Sequence, residues 1–366
     1  MKNKKKIYFF VGTTAEFLKL APIIKGLNKR NIKYKVVTSG QNRVNFKELE
    51  GFTGKIKADI LLKPKNTKSS IPSFLLWAVR TFISGLRALR VEFKNKKRND
   101  IYFIIHGDTV TSLLGSIIAT LYGVKLIHIE SGLRSFNFFE PIPEEVCRFI
   151  IIHLADVMFA PNDWALDNLK GLKGVKISTN QNTLIESCFW ALSNKGATNY
   201  RKMFGKYYVL FVHRQEHVFI NKEWTRNLMD FIIKNAPKDV NCIFVLHSLT
   251  SRFIHSERLN ALQERNKRLF FIPQLSYIDF ISLLNNSEFI ATDGCTLQEE
   301  AYFMGKPLLA LRNLTERIEG LGENTVLAKG NEKIITKFLK EYKKYKRPKL
   351  KTRVLPSSIV VDYLTR

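Results

Sequence analysis

Acidic residues are scarce in this chain: 32 Asp and Glu face 59 Lys and Arg, for a formal net charge of +27. That excess selects anionic company, meaning nucleic acid, a phosphorylated substrate or a bilayer surface. An AT-rich genome also raises lysine content with no function attached. Long apolar runs are missing too. No stretch of about 18 uninterrupted apolar residues occurs, so no membrane-spanning helix is expected. Cysteine is sparse: Cys147, Cys188, Cys242 and Cys295 form no CxxC pair and no zinc spacing. This argues against a disulfide framework and for free thiols in a reducing cytoplasm. No nucleic-acid partner is expected, because no zinc finger, RRM signature or KH loop is present. The basic clusters (the N-terminal lysines, Lys94–Arg98 and Lys343–Arg353) are not interleaved with exposed aromatics. Lys2, Lys4, Lys5 and Lys6 precede Ile7–Val11 as in a signal peptide, but that apolar run is too short and leads straight into Gly12-Thr13-Thr14. It reads as a first buried strand.

What the chain does have is alternation. Its 366 residues, 45% of them hydrophobic, suit two domains of ordinary size. Strand-like and helix-like segments follow one another at Ile7–Val11, Glu16–Lys29, Tyr34–Ser39, Ile101–Ile105, Thr109–Tyr122, Val124–Ile129, Glu144–Leu154 and Val157–Ala160, with a helix at Asn182–Leu192. A second block runs through Tyr207–Val212, Trp224–Lys234, Asn241–Leu246, Ser256–Glu264, Leu269–Ile272, Tyr277–Asn285, Phe289–Thr292, Leu297–Met304 and Pro307–Leu311. The expected class is α/β, two Rossmann-like doubly wound domains with a cleft between them. The expected divisions are an N-terminal domain at 1–192, a polar linker at 193–206, a C-terminal domain at 207–350, and a final helix at 351–366 packing back across.

Three carboxylates stand out. Asp108 and Glu130 each follow an apolar run in a strand–helix–strand unit, so both should emerge at the carboxyl ends of neighbouring strands, where open α/β sheets bind ligands. Pro143 suits the first turn of the next helix and places Glu144 at a helix start. Convergent carboxylates can divide acid and base duties. Read singly, Asp108 is also a candidate N-cap, and Glu144 and Glu145 are candidate helix-start acids.

The segment Phe74–Phe93 carries an apolar stripe of Leu75, Val79, Phe82, Leu86, Leu89 and Phe93, widened by Phe74, Leu76, Trp77 and Ile83. Arg80, Arg87 and Arg90 share the remaining face, and Lys94–Arg98 follows. Two readings stand: a core helix with a solvated edge, or, over 74–98, a helix lying on an anionic membrane surface. His213 and His217, four apart around Glu216, follow a strand and lack HExxH, so neither metal nor cofactor is expected.

Taken in order, the motifs resemble the non-hydrolysing UDP-N-acetylglucosamine 2-epimerases over nearly the whole chain. They are Gly12-Thr13…Glu16…Lys19…Ala21-Pro22, His106-Gly107-Asp108-Thr109, Ile129-Glu130-Ser131-Gly132-Leu133-Arg134, Pro143-Glu144-Glu145 and Ala160-Pro161. Asn182-Thr183, His213-Arg214-Gln215-Glu216, Thr292-Asp293, Gln298-Glu299-Glu300, Gly305-Lys306-Pro307 and Thr315-Glu316-Arg317 complete the series. The resemblance implies a GT-B-like fold, usually dimeric. It implies a reaction in which the C2 proton and the nucleoside diphosphate depart and then return on the other face, serving surface polysaccharide synthesis. It implies Asp108, Glu130 and Glu144 as acid/base carboxylates, His213 on the diphosphate, Lys19 as a nearby cation, and Glu300 on the ribose. Thr13, Arg134, Phe280 and Arg317 are implied as further substrate contacts.

Departures from the family pattern cluster on the phosphate anchors. Its Gly-Thr-Arg-Pro-Glu opening reads Gly12-Thr13-Thr14-Ala15-Glu16, and its Asp-Ser-Gly-Gly turn at the diphosphate reads Asp293-Gly294-Cys295-Thr296. Its Gln-His-Arg reads Gln41-Asn42-Arg43, and a glutamine near the uracil becomes Leu275. A lost charge-assisted phosphate contact weakens binding by roughly 1.5–3 kcal/mol. Two other partners are therefore entertained: a polyprenyl-diphosphate-linked hexosamine handled at the inner face of the cell membrane, and a membrane-bound acceptor for a GT-B glycosyltransferase.

Overall fold

The computed structural model describes residues 5–62, 71–94, 96–138, 140–194, 196, 198–214, 222–247, 250, 263–264 and 266–366. Within them the chain forms two compact units, Met1–Ser187 with Arg353–Arg366, and Cys188–Thr352. Most of the helix expected at Ser256–Glu264, and the motif residues Gln215, Glu216 and His217, fall outside the described residues.

Unit 1 is built on a seven-stranded sheet in the order β3-β2-β1-β4-β5-β6-β7, every neighbouring pair parallel. The strands are β1 (Lys6–Val11), β2 (Tyr34–Thr38), β3 (Ile60–Leu61), β4 (Ile101–His106), β5 (Lys125–Ile129), β6 (Val157–Ala160) and β7 (Val175–Ser178). Runs such as Ile7–Val11 and Ile101–Ile105 are apolar on both faces because helices cover both faces of a parallel sheet. Phe9, Phe10, Phe103 and Ile104 are fully buried in consequence. Burying such a side chain contributes about 1.5–3 kcal/mol.

Helix α1 (Thr14–Lys29) opens with a capping box in which the Thr13 side chain accepts from the Glu16 amide and Glu16 reaches back to Thr13. Helix α4 (Val110–Tyr122) is capped by Thr109, not Asp108, and stops at Gly123, whose φ of 60° few other residues accept. That frees the Asp108 side chain from capping. Helix α5 (Glu144–Leu154) takes Pro143 as its N-cap, one position earlier than the expected first turn. The last helix of the chain (Pro356–Leu364) lies in unit 1 against α1, and its Ser357 amide and hydroxyl both donate to Glu186, each at 2.8 Å.

Helix α3 (Ile71–Phe93) packs on α4, with Gly85 against Ile118 and Phe93 against Tyr122, and its buried line is Trp77, Thr81, Gly85, Leu89 and Phe93. Leu75 and Val79, placed on the apolar stripe with Leu89 and Phe93, are instead exposed together with Leu76 and Ile83. The buried line follows every fourth residue, and the upper part of the expected stripe lies off it. No helix among the described residues is long and apolar enough to cross a membrane.

Unit 2 carries a six-stranded parallel sheet in the order β10-β9-β8-β11-β12-β13. Its strands are β8 (Tyr207–Phe211), β9 (Asn241–Leu246), β10 (Leu269–Pro273), β11 (Ile290–Thr292), β12 (Leu308–Ala310) and β13 (Thr325–Leu327). Tyr208 and Phe289 stack in its core at 4.6 Å between ring centroids. The segment expected to be linker holds a short helix, Tyr200–Phe204, with Tyr200 buried. In each sheet the strand order reverses once, between β1 and β4 and between β8 and β11. Those reversals open crevices at the carboxyl edge, and they are where ligands of such sheets bind.

Candidate active site

In unit 1 the carboxyl edge of β4 and β5 carries the first two acids. His106 pairs with Ile129 in the ladder, so Asp108 and Glu130 leave neighbouring strands side by side. Glu130 has φ 65°, a left-handed conformation that costs a residue with a side chain roughly 1–3 kcal/mol and collects at functional sites. Its Oε2 accepts from Lys19 Nζ at 2.6 Å and from Asn182 Nδ2, and its Oε1 lies over Gly107, 3.4 Å from where a Cβ would stand. Lys19 and Glu130 are 5% and 7% exposed, so Lys19 is a buried partner and not a surface lysine.

Asp108 Oδ2 accepts from Arg148 Nη2, and Arg148 Nη1 reaches Glu145 Oε2 at 3.1 Å. Glu145 is fully buried. It also accepts from Arg134 Nε at 2.5 Å, the Ser135 amide at 3.0 Å and the Phe136 amide at 3.2 Å. Burial works against its charge, but the Ser135 amide, Arg134 and Arg148 outweigh that and hold the carboxyl below its usual range. Glu145 is thus the hub that orients both Arg134 and Arg148, a role hidden behind its reading as a helix-start acid. Arg148 went unremarked in the sequence, although its i+3 spacing from Glu145 is a detectable signal.

Glu144 is the first residue of α5 and half-buried. It lies one turn before Arg148, which binds Asp108, so α5 brings Glu144 to the same edge. Burial, then the charges of Asp108 and Glu144, push the Cys147 thiol to about 12. Asp108, Glu130 and Glu144 therefore share one edge of one unit. Thr13 turns its hydroxyl onto the α1 cap, and Glu16 accepts from Gly12 at 2.5 Å and from Thr109 Oγ1 at 2.5 Å. Burial raises the Glu16 carboxyl above its ordinary value despite those donors.

His128 lies under this edge, with Nε2 at 2.8 Å from the Gly107 carbonyl oxygen. Burial drives it to about 4 from an ordinary 6.5, against the Gly107 contact and the nearby acids. The unfolded chain then binds more protons than the folded one between those values. This stability is complete above pH 6.5 and is lost as pH falls toward 4, at about 1.4 kcal/mol per pH unit. Denaturant midpoints measured across that window should drop steeply for the parent chain and more shallowly for His128→Asn; equal slopes would remove His128 from the account.

In unit 2 the corresponding edge is organised by Asp293, fully buried after β11. Its carboxylate accepts from the backbone amides of His213 (3.0 Å) and Arg214 (2.9 Å), and Oδ1 lies 3.1 Å from His213 Nδ1. The backbone of His213 is thereby fixed, its ring sits beside the carboxylate, and its side chain stays 31% exposed. Phe280 and Phe211 pack at 5.3 Å beside it. Gly294 caps helix α11 (Cys295–Met304), and a Cβ there would fall 2.7 Å from His213 Cε1. Cys295 and Thr296 form the first turn, whose amides have no partner inside the helix and suit an anion. Arg214 Nη2 and Arg312 Nη1 both reach Cys295 Sγ, the first at 2.9 Å, and Arg312 also pairs with Glu316 at 2.9 Å. Arg312 Nη2, buried, makes no hydrogen bond among the described residues.

Arg317 and Glu300 sit deeper. Arg317 pairs with Glu299 at 2.5 Å, and Glu300 accepts from the Tyr277 hydroxyl at 2.9 Å, all four residues being buried. Neither Glu299 nor Glu300 lies in the first turn of α11. Among the described residues, no group of three His, Cys, Asp or Glu could hold a metal ion.

A family model described as UDP-N-acetylglucosamine 2-epimerase matches residues 25–354. The chain belongs to that family. UDP-N-acetylglucosamine 2-epimerase of Methanocaldococcus jannaschii is 29% identical over 348 residues, covering 90% of each chain. The enzyme of that name from Bacillus subtilis is 30% identical, covering 90% of this chain and 84% of its own. The crystal structure of the M. jannaschii UDP-GlcNAc 2-epimerase in complex with UDP-GlcNAc and UDP superposes with a TM-score of 0.81 at 27% identity, covering 98% and 99% of the two chains. The fold is accordingly α/β and GT-B-like. The departures from the family pattern at Thr14 and in the Asp293 turn lie within the described residues. Thr14 Oγ1 accepts from the Asn45 amide at 3.0 Å, and the turn is flanked by the guanidinium groups of Arg214 and Arg312.

Proposed function

We propose that this chain inverts C2 of an N-acetylhexosamine carried on UDP, interconverting UDP-GlcNAc and UDP-ManNAc. The carrying observation is Glu130: a strained, buried carboxylate held by Lys19 and Asn182 beside Asp108 on one strand edge. The Lys19 ammonium favours the carboxylate over the carboxylic acid, as a base requires. Glu130 removes the C2 proton, the C1–O bond breaks, and its electron pair leaves with UDP as the C1–C2 double bond forms. UDP oxygen then re-forms the bond to C1 while Asp108 or Glu144 delivers a proton to C2 from the opposite face. No oxidant or reductant is needed. His213, the first-turn amides of Cys295 and Thr296, and Arg214 and Arg312 receive the diphosphate. Those guanidinium groups supply cations for a diphosphate at the turn, and the family model together with the relative solved with UDP-GlcNAc and UDP supports UDP as the carrier. Proton NMR of the anomeric region should show the same mixture reached from either sugar nucleotide; failure to convert either one would refute the reading.

We further propose that the outer face of α3 rests on an anionic lipid surface. Leu75, Leu76, Val79 and Ile83 are 42–60% exposed, Arg80, Arg87 and Arg90 are exposed along the same helix, and Lys94 is exposed just after it. Each basic residue near such a surface adds about 1 kcal/mol. A second copy of the chain would set one such arginine row against another. The protein should sediment with anionic vesicles, be released by salt, and lose binding in Ile83→Glu. A dimer that dissociates in Ile83→Glu, with no vesicle binding by the parent, would give this face to self-association instead.

A further inference from the structure

A second cluster of charge lies at the opposite edge of the unit 2 sheet, before the strands rather than after them. Ser287 and Glu288 precede β11, and Lys306 and Pro307 precede β12. With Arg201 from the helix Tyr200–Phe204 and with Tyr342, Lys343 and Lys346 from the turn after the helix Glu332–Glu341, they line a cavity of about 70 Å³. Arg201, Lys306, Lys343 and Lys346 face one carboxylate, Glu288. That carboxylate is engaged by Arg201 at 3.1 Å and, more weakly, by the Tyr342 hydroxyl at 3.5 Å. Lys306 Nζ donates to the Ser287 carbonyl at 2.8 Å, leaving further N–H donors on the same ammonium. Arg201, Lys343 and Lys346 are exposed at the rim, and Lys306 lies at the floor.

We propose that this pocket binds a single tetrahedral phosphate, either as the free ion or as the terminal phosphate of a larger molecule. Size sets the class. Pockets for nucleosides and similar ligands run from about 300 Å³ upward, so this one takes an oxyanion and not a second sugar nucleotide. Charge sets the sign. Burial, then Lys346, with Arg201 and Lys349 adding to it against Glu288, lowers Lys306 to about 8. A dianion among these cations removes that mutual repulsion and draws on the unused donors. The placement keeps the pocket apart from His213 and Cys295, which follow their strands.

The test is calorimetric titration of inorganic phosphate into the protein with UDP already saturating and ionic strength held with chloride, so that the diphosphate edge does not compete. Saturable binding is expected, weakened about tenfold or more by Lys346→Ala and by Lys306→Met, with epimerase activity unchanged in both. In lysine-labelled protein, the resonance lost in Lys306→Met should titrate above about 8 once phosphate is bound. Vesicles containing phosphatidic acid form the second arm. Capture that Lys346→Ala abolishes assigns the phosphate to a lipid, and binding of the free ion alone assigns it to solution. Absence of binding in both arms, or binding that neither variant alters, overturns the proposal.

Discussion

Glu130→Gln will stop the reaction. Glutamine keeps the side chain's shape and an acceptor for Asn182 but carries no charge to take a proton, while Lys19 at 2.6 Å loses its counter-ion. A positioned base contributes about 10²–10⁴-fold, so kcat should fall by that order. UDP affinity, which the proposal places on unit 2, should change little. Asn182→Ala is the companion. It leaves Glu130 charged but less firmly held, and should move the acid limb of the pH–rate profile upward with a much smaller loss of kcat. A Glu130→Gln protein that turns over within a few-fold of the parent would take Glu130 out of the chemistry.

The second large effect belongs to Glu145. Its carboxylate is fully buried and pairs with both Arg134 and Arg148, whose side chains are 11% and 6% exposed. Removing one partner of a buried ion pair strands the other charge and costs about 3–5 kcal/mol. Glu145→Gln should therefore lower the urea midpoint sharply with little change in m. Activity should fall as well, because Arg148 holds Asp108 and a displacement of about 1 Å can cost about 10²-fold. A stability loss below about 1 kcal/mol would show that the arginines find other partners and that Glu145 is not the hub.

Much of unit 1 was legible because its pattern is local. Asp108 and Glu130 each close an apolar run, and the helix between them ends at a glycine, so their adjacency follows from one strand–helix–strand unit. Glu145 was not legible, since two consecutive acids at a helix start look alike until tertiary packing turns one inward. Lys19 was ambiguous for a related reason. Helix α1 buries every residue from Glu16 to Ile24, so no polar face remains to mark which way the lysine points. In α3 the excess of apolar residues hid the true packing line, and residues on the exposed edge were counted with the core. Short edge strands such as Ile60–Leu61 and Thr325–Leu327 carry too few residues to show a period. In unit 2, Arg214 and Arg312 converge on Cys295 only through the strand order, so the sequence alone made the phosphate anchors look lost.

The decisive measurement is proton NMR of UDP-GlcNAc incubated with the protein in deuterium oxide. The H2 signal should disappear as UDP-ManNAc appears, with one solvent deuteron at C2 for each turnover and none in the Glu130→Gln protein. Complete conversion with the original proton retained at C2 would contradict elimination and return at this edge.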